Sequence, residues 1–199
     1  WYVSRADNDC RWEYDNFEWN LEYRMSTLEL KELSHPSGEV IKIASGKTLD
    51  LKSQGTTTLP TGSVLQVVYG STTTYATTST TTFVDTGLTA SITPSATSSK
   101  VLVIIHQNGM RKATGNTENR IKLSLFKGSS EHTMIAAGIA YTNSNVYNGD
   151  NTSITVLDSP SSTSAITYKT MFKNEVAASN VQVQHSSATS TITLIEVSA

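Results

Sequence analysis

The sequence has few of the residues that build covalent frameworks or electrostatic fields. It has one cysteine, Cys10, among 199 residues, which excludes an internal disulfide framework and a cysteine-based zinc site. Charged residues make up 16% of the chain and its net charge is −2, whereas about a quarter of the residues in a typical soluble domain are charged. This near-neutral balance offers no basic field for nucleic acid and no polybasic patch for a membrane surface.

Long apolar runs are also missing. The longest is Val101–Ile105, and a membrane-spanning helix needs about 20 apolar residues. A run of five suits a buried β-strand, and because it is apolar on both faces it predicts a central strand. We therefore expect no membrane insertion, and we expect Val103 and Ile105 to lie in the core of the fold.

Serine and threonine take the place of the missing charges and supply roughly three residues in ten. Disordered chains combine low hydrophobicity with high net charge, so the small net charge favours a folded chain. Threonine suits strands because its branched Cβ fits a pleated, half-exposed surface. Between Ser53 and Met110 the only formal charges are Asp85 and Lys100. Because such a surface protects open strand edges poorly, we expect closure or oligomerisation.

Residues 63–199 form the predicted head, in which short alternating segments are separated by polar turns. This pattern is typical of an all-β fold, an antiparallel β-sandwich or jelly roll. The candidate strands are Val64–Tyr69, Thr72–Thr78, Thr80–Asp85, Leu88–Ile92, Lys100–Gln107, Arg120–Lys127, Thr133–Thr142, Thr152–Leu157, Ala165–Phe172, Val181–His185 and Thr191–Val197.

Residues 25–62 are predicted to form a short fibre-like β stalk. A weak repeat runs through them, in which Ile41 and Ile43, then Leu49 and Leu51, flank a charged residue, and each pair is followed by a glycine. Two such units cannot bury their small apolar faces within one chain. Three chains wrapped side by side could do so, which predicts a homotrimer.

Residues 1–24 differ in composition from the rest, because they hold all three tryptophans and the only cysteine. They fit an aromatic docking arm or a carbohydrate platform. They fit equally an upstream piece of a longer reading frame or of a larger protein, and we favour that second interpretation.

Four phrases of the sequence carry a family resemblance, and they are Met25-Ser-Thr-Leu-Glu-Leu-Lys-Glu-Leu, Gly62-Ser-Val-Leu-Gln-Val-Val-Tyr69, Thr82-Phe-Val-Asp-Thr-Gly-Leu-Thr-Ala-Ser-Ile-Thr-Pro94 and Ser98-Ser-Lys-Val-Leu-Val-Ile-Ile105. From about residue 25 to residue 199 the chain resembles short fibre and virion structural proteins of tailed phages, especially marine ones. The resemblance implies a trimeric fibre with a jelly-roll-like tip, similar to the tumour necrosis factor-type trimer. It also implies a location on the virion exterior and contacts with other virion proteins through the N-terminal region. It implies no particular ligand.

No motif of the sequence indicates an enzyme, a cofactor or a metal site. There is no P-loop, dinucleotide fingerprint, HExxH or Gly-x-Ser-x-Gly. The four histidines are isolated in sequence, and Ser, His and Asp residues alone do not indicate a catalytic triad. We therefore expect no catalytic activity.

The segment Tyr141–Asp150 is the best candidate for binding. Tyr141, Tyr147, Asn148 and Asp150 combine aromatic rings, an amide and a carboxylate, which can stack on sugar rings and hydrogen-bond their hydroxyls. The same residues are also ordinary turn formers. A second candidate, Asn108–Asn116, is equally interpretable as a polar hairpin.

Together these features favour a phage virion structural protein, a tail fibre or fibre tip that adheres to a host surface glycan through several weak sites. The alternative is a secreted carbohydrate-binding β-sandwich module, which would not need the stalk repeat. A glycan-cleaving tailspike is disfavoured because glycoside hydrolysis needs two positioned carboxylates, and the acidic residues of the head are scattered.

Overall fold

The computed structural model describes residues 45–46, 59–176 and 179–199. The predicted arm and almost all of the predicted stalk lie outside these residues. Ten strands follow one another in the chain: β1 (Val64–Thr72), β2 (Ala76–Thr78), β3 (Val84–Ile92), β4 (Lys100–Lys112), β5 (Ile121–Lys127), β6 (Ser130–Ile139), β7 (Asn148–Asp158), β8 (Ile166–Asn174), β9 (Val181–Val183) and β10 (Ser190–Val197). A short 3₁₀ turn, His185–Ser187, precedes β10.

The strands form two antiparallel sheets that pack as a sandwich. One sheet has the order β1-β10-β4-β9-β2, with β7 on the other side of β4, and the second has the order β3-β8-β5-β6. When the two three-residue strands are set aside, the first sheet holds the first, eighth, third and sixth long strands. The second sheet holds the second, seventh, fourth and fifth. This interleaving is the strand order of a jelly roll, so the predicted fold class is confirmed for the head.

Most predicted strands are present with small shifts of their ends, and two predictions are wrong. The segments Thr80–Asp85 and Leu88–Ile92 are predicted as separate strands, but the structure joins parts of both in β3. A register shift follows Asp85, where Gly87 has a φ of 82°, so a bulge takes the place of the expected turn. The predicted strand Thr72–Thr78 is interrupted instead, because β1 ends at Thr72 and β2 begins at Ala76.

The long strand β4 lies inside its sheet, as its apolar run predicts. Its 13 residues pair with β7 on one side, and with β10 and then β9 on the other. The side chains of Val101, Val103 and Ile105 are 0% exposed and contact the buried face of the second sheet. Both predicted core residues are confirmed.

A buried polar layer separates two apolar clusters in the sandwich. The hydroxyls of Thr86 and Thr170 share a hydrogen bond, and Thr170 donates to Gln107 Oε1 at 2.9 Å. Gln107 Nε2 in turn donates to Ser190 Oγ at 3.0 Å. The chain of bonds crosses from β3 and β8 to β4 and β10. Because each member would lose its partner if a strand slipped, the layer fixes the register between the sheets.

The sandwich has two ends that differ in what they carry. At the first, which we call the entry end, the chain leads into β1: the amide of Gly62 donates to the carbonyl of Ser198 at 2.9 Å, and Val64 pairs with Val197. At the opposite end, the far end, β4 pairs with β9 through Arg111 and Lys112. From the entry end to the far end, β4 spans about 40 Å at 3.3 Å per residue.

Asp158, the last residue of β7, links the two sheets near the entry end. It is 6% exposed. Its Oδ2 accepts a hydrogen bond from Tyr168 Oη at 2.6 Å and faces Lys127 Nζ at 3.0 Å, while His132 Nε2 lies 3.7 Å from Oδ1. Burial raises the pKa of Asp158, but the hydrogen bonds from Tyr168 and Lys127 and the charge of Lys127 outweigh it, so the pKa is lowered.

We expect the head to lose stability in acid partly through this carboxyl group. A carboxyl group whose pKa is lower in the folded state stabilises the protein above its unfolded-state pKa of about 3.9. That contribution is lost as the pH falls through the lower folded value. The wild type should therefore unfold at steadily lower temperature below about pH 4, and Asp158→Asn should show a shallower dependence.

Thermal unfolding from pH 2 to pH 7 tests this expectation, with Asp85→Asn as the control. Asp85 also pairs with a lysine, Lys169, at 3.0 Å, but its side chain is 47% exposed. A surface ion pair contributes little, so this variant should keep the wild-type slope. Equal slopes for the wild type and Asp158→Asn would contradict the assignment.

Candidate functional site

The predicted binding segment is only partly a loop, and its residues do not form one site. The structure places Asn148 and Asp150 inside β7, opposite Lys112 and Met110 of β4, so the prediction that they belong to a loop is wrong. The pairing of β7 with β4 extends beyond the apolar alternation of β7, since Asn148, Gly149 and Asp150 pair with β4 through their backbone but have no apolar side chains. Tyr141 and Tyr147 do lie on the surface between β6 and β7 and are 44% and 57% exposed.

Tyr141 lines a small depression with Glu118, Arg120 and Gly138. The guanidinium carbon of Arg120 lies 5.8 Å from the ring centroid of Tyr141. Arg120 Nε donates to Glu175 Oε2 at 2.8 Å, so its charge is already compensated by a carboxylate. Tyr147 and Asp150 belong to a different surface, described next.

A bulge in β4 opens a cleft at the far end of the sandwich. The pairing of β4 with β7 shifts between Gln107 and Met110, and in the bulge the amide of Gly109 donates to Asn151 Oδ1 at 2.8 Å. The cleft has a volume of about 380 Å³. We call it the His185 cleft, and its lining residues are Gly109, Met110, Arg111, Gly149, Asp150, Asn151 and His185.

Arg111 is the cation of this cleft. Its guanidinium carbon lies 4.2 Å from the ring centroid of Tyr147, and its Nε donates to Gln182 Oε1 at 3.2 Å. Within the described part of the chain its terminal nitrogens make no hydrogen bond and no carboxylate lies within ion-pair distance. Arg111 is therefore held in place by an aromatic face and an amide, and no carboxylate among the described residues forms an ion pair with it.

His185 is presented to the cleft by a turn of unusual backbone. Gln184, Ser186 and Ser187 have φ values of 52°, 57° and 58°, in the left-handed region that non-glycine residues rarely adopt. His185 Nδ1 is hydrogen-bonded to Ser186 Oγ at 2.8 Å, and the ring meets Tyr75 edge-on with centroids 6.5 Å apart. Nε2 is thus the ring nitrogen left for another partner.

A buried lysine holds the loops beside the cleft. Lys112, at the end of β4, is 0% exposed, and its ammonium donates to the carbonyls of Thr117, Thr142 and Ser144 at 3.2, 3.0 and 2.8 Å. These three bonds tie the β4–β5 and β6–β7 connections to each other. The loop that carries Tyr147 is thereby fastened to the strand that carries Arg111.

The outer face of the larger sheet is apolar near the entry end. One row crosses four strands in register and consists of Val67, Ile195, Leu102 and Leu157. Val67 and Leu157 are 59% and 55% exposed, although both are large aliphatic side chains. We use the name apolar face for this row together with the next row toward the far end, which consists of Tyr69, Thr193, Ile104 and Thr155.

The next two rows become progressively more polar toward the far end. Tyr69, Thr193, Ile104 and Thr155 form the second, and Ser71, Thr191, His106 and Ser153 form the third. Tyr69 is 62% exposed. None of the three rows contains a carboxylate, a lysine or an arginine, so these rows form a surface four strands wide without a formal charge.

The sequence does not indicate that Arg111, Asn151 and His185 lie close together in one cleft. They come from β4, β7 and the turn before β10, and only the strand pairing brings them together. Arg111 did fall within the second candidate segment, Asn108–Asn116. That segment is equally interpretable as a binding candidate or as a polar hairpin, and the structure shows that its first five residues continue β4 through Lys112.

The described residues contain neither a cluster of potential metal ligands nor a helix that could span a membrane. No group of three or more His, Cys, Asp or Glu side chains there is arranged to hold a metal ion. No helix in the same residues is long and apolar enough to cross a membrane. Comparison with known proteins adds no identification, since no protein-family model matches the sequence and no curated protein matches it significantly.

Proposed function

We propose that the chain is a structural protein of a tailed-phage virion, the tip of a short tail fibre, which adheres to the host surface as a homotrimer. It acts by binding, without catalysis. The observation that carries the proposal is the charge-free apolar face on the outside of a jelly-roll sandwich. The resemblance of four sequence segments to virion fibre proteins supports the same assignment.

The apolar face leaves large apolar side chains exposed on four neighbouring strands. Four strands at 4.8 Å spacing and about four residues at 3.3 Å give roughly 250 Å² in projection. A contiguous patch of large apolar side chains on a soluble protein is a candidate interaction surface. Its exposed members, Val67, Tyr69 and Leu157, are large side chains whose burial against a partner would be favourable.

A second copy of the chain is the partner that best fits this face. Because the three rows carry no formal charge, copies can meet there without like-charge repulsion and without burying an unpaired charge. The sheet edges at β1 and β7 also border the face, and association would cover the β ladder where it is most open. Three copies around one axis would bring three entry ends together. A trimeric fibre requires this, because its three chains continue side by side from the stalk into the tip.

The two ends of the sandwich fit a fibre tip. The chain enters beside Ser198, while the His185 cleft opens at the far end of β4. Between Leu102 of the apolar face and Gly109 of the cleft, β4 spans about 23 Å. Contacts among copies at the entry end would therefore leave the cleft accessible, and three clefts on one rigid tip would bind by avidity.

The solution mass of the full chain tests the proposal. The wild type should sediment as a trimer, and Leu157→Glu and Tyr69→Glu should each shift the population to monomer, because a buried unpaired carboxylate is costly. The control is Met134→Glu, since Met134 is 52% exposed but lies on β6 in the other sheet. A stable monomer for the wild type at micromolar concentration would exclude the trimeric fibre tip.

The His185 cleft also favours the alternative, a secreted carbohydrate-binding β-sandwich module. Such a module presents its site on a monomer and has no use for an apolar face. A monomeric wild type that binds polysaccharide would therefore support the module, whereas a trimer that depends on Leu157 and Tyr69 supports the fibre tip.

A further inference from the structure

The turn that presents His185 stores backbone strain beside a cleft. Gln184, Ser186 and Ser187 all have φ values in the left-handed region, which is strained for residues other than glycine. Strained backbone of this kind persists where surrounding contacts determine it, and it concentrates at ligand sites. Here the amide of Gln184 donates to the carbonyl of Asn108 in the β4 bulge at 3.1 Å, so the strained turn and the bulge are fastened together.

The cleft combines a cation that can bind an anion with polar side chains that can hydrogen-bond to hydroxyl groups. Arg111 offers its two terminal nitrogens in a planar fork, which matches a carboxylate. Asn151 has its oxygen engaged by Gly109, so its amide nitrogen is the part left to donate. Asp150 contributes an exposed carboxylate that can accept from hydroxyl groups.

The surroundings of Arg111 add an apolar surface and room for close approach. The exposed ring of Tyr147 lies against the guanidinium and extends the site with a flat face, the kind of surface on which a sugar ring stacks. Gly149 lines the cleft without a side chain, so a ligand can approach its backbone there. An open polar cleft whose arginine has no ion-pair partner among the described residues suits a charged, hydroxylated ligand better than an apolar one.

We propose that the His185 cleft is a subsite for a carboxylate-bearing sugar of an acidic surface polysaccharide, with Arg111 paired to the carboxylate. Asn151 and His185 donate to, and Asp150 accepts from, the ring hydroxyls, while Tyr147 covers the apolar face of the sugar. This inference rests on the proposed adhesive function and names its ligand class. Lys112 acts on the site only by fastening the Tyr147 loop.

Binding of a uronic acid oligosaccharide to the full-length chain tests the inference. The probe is a galacturonic acid hexamer, and its methyl ester is the neutral control with the same ring hydroxyls. We expect the acid to bind each cleft with a Kd on the order of 1 mM, measured by calorimetry or NMR titration. The ester should bind about tenfold more weakly or worse, because it cannot form the charge-assisted pair.

Two variants locate the interaction. Arg111→Gln should weaken binding of the acid about tenfold or more, to the level of the ester, whereas Arg120→Gln should leave it unchanged. Arg120 is the matched control because it also lies over a tyrosine but is paired with Glu175. Equal binding of acid and ester, an unaffected Arg111→Gln variant, or no binding of the hexamer would each overturn the subsite.

Failure of this inference and failure of the proposed function give different results. A trimer that binds no uronate keeps the fibre tip and loses the acidic-sugar subsite. A monomer that binds the acid through Arg111 keeps the subsite and loses the trimeric tip. Binding of both acid and ester that is lost in Tyr147→Ala would assign the cleft to a neutral sugar and overturn the proposed class.

Discussion

Replacing Ile105 by alanine should lower the free energy of unfolding by about 2–5 kcal/mol. Its side chain is 0% exposed and belongs to the larger apolar cluster between the sheets. The loss combines the transfer of the removed methyl and methylene groups with a cavity that the flanking strands cannot close. Against a total stability of about 5–15 kcal/mol for a domain, this is a large fraction.

Val103→Ala should follow the same rule with a smaller effect, about 1–3 kcal/mol, because fewer atoms are removed. The control is Val146→Ala, the same substitution at a residue that is 49% exposed; it should change stability by less than about 0.5 kcal/mol. Chemical unfolding at one fixed protein concentration measures all three, because association would make stability depend on concentration. A loss under about 0.5 kcal/mol for both buried residues would place β4 at an edge, contrary to its pairing.

The strands of the head were predictable because their signal is local. Alternating residues such as Ile121, Leu123 and Leu125 must share one face of a strand, and all three are 0% exposed. The run at Val101–Ile105 likewise indicated an inside strand. Its second face proved to be only partly covered, since Leu102 and Ile104 lie on the apolar face, and the sequence could not distinguish a face buried within one chain from a face left for another.

The buried polar groups were not predictable in the same way. Gln107, Thr170 and Ser190 are 0% exposed, yet each is a residue type found mostly on surfaces. They are tolerated because they hydrogen-bond to each other across the sandwich, and such pairing depends on the positions of strands far apart in sequence. Lys112 is a stronger example, since its burial depends on three carbonyls of two different loops.

Only part of the candidate site could be predicted, because the sequence indicates residues that are close along the chain and not those that strand pairing brings together. The segment that holds Tyr147 and Asp150 was found from its residue types, which suit sugar binding. Its partners Arg111 and His185 are distant in the chain and reach the cleft through the bulge of β4 and the left-handed turn. No local pattern of sequence indicates a bulge at Gly109 or a left-handed backbone at Ser186 and Ser187, since serine is an ordinary loop residue.

Replacing Gly109 by alanine should destabilise the head by about 2–5 kcal/mol and disrupt the His185 cleft. Gly109 has a φ of +60°, and a Cβ atom there would lie 2.6 Å from the amide nitrogen of His185 and 2.8 Å from Ala188 Cβ. The nearest of these atoms is backbone, so it cannot move aside as a flexible side chain would. The turn must shift, and with it His185, which lines the cleft together with Arg111.

Gly128→Ala separates the two causes of this loss. Gly128 also has a φ of +60°, but a Cβ atom added there would meet nothing within 4 Å, so the variant should lose only the left-handed backbone cost, about 1–2 kcal/mol. The remaining difference of about 1–3 kcal/mol measures the collision with the His185 turn. Gly109→Ala should also weaken binding of the galacturonic acid hexamer, whereas Gly128→Ala should not. Equal stability losses and equal binding would show that the turn yields freely, which would remove the strained backbone as support for the cleft.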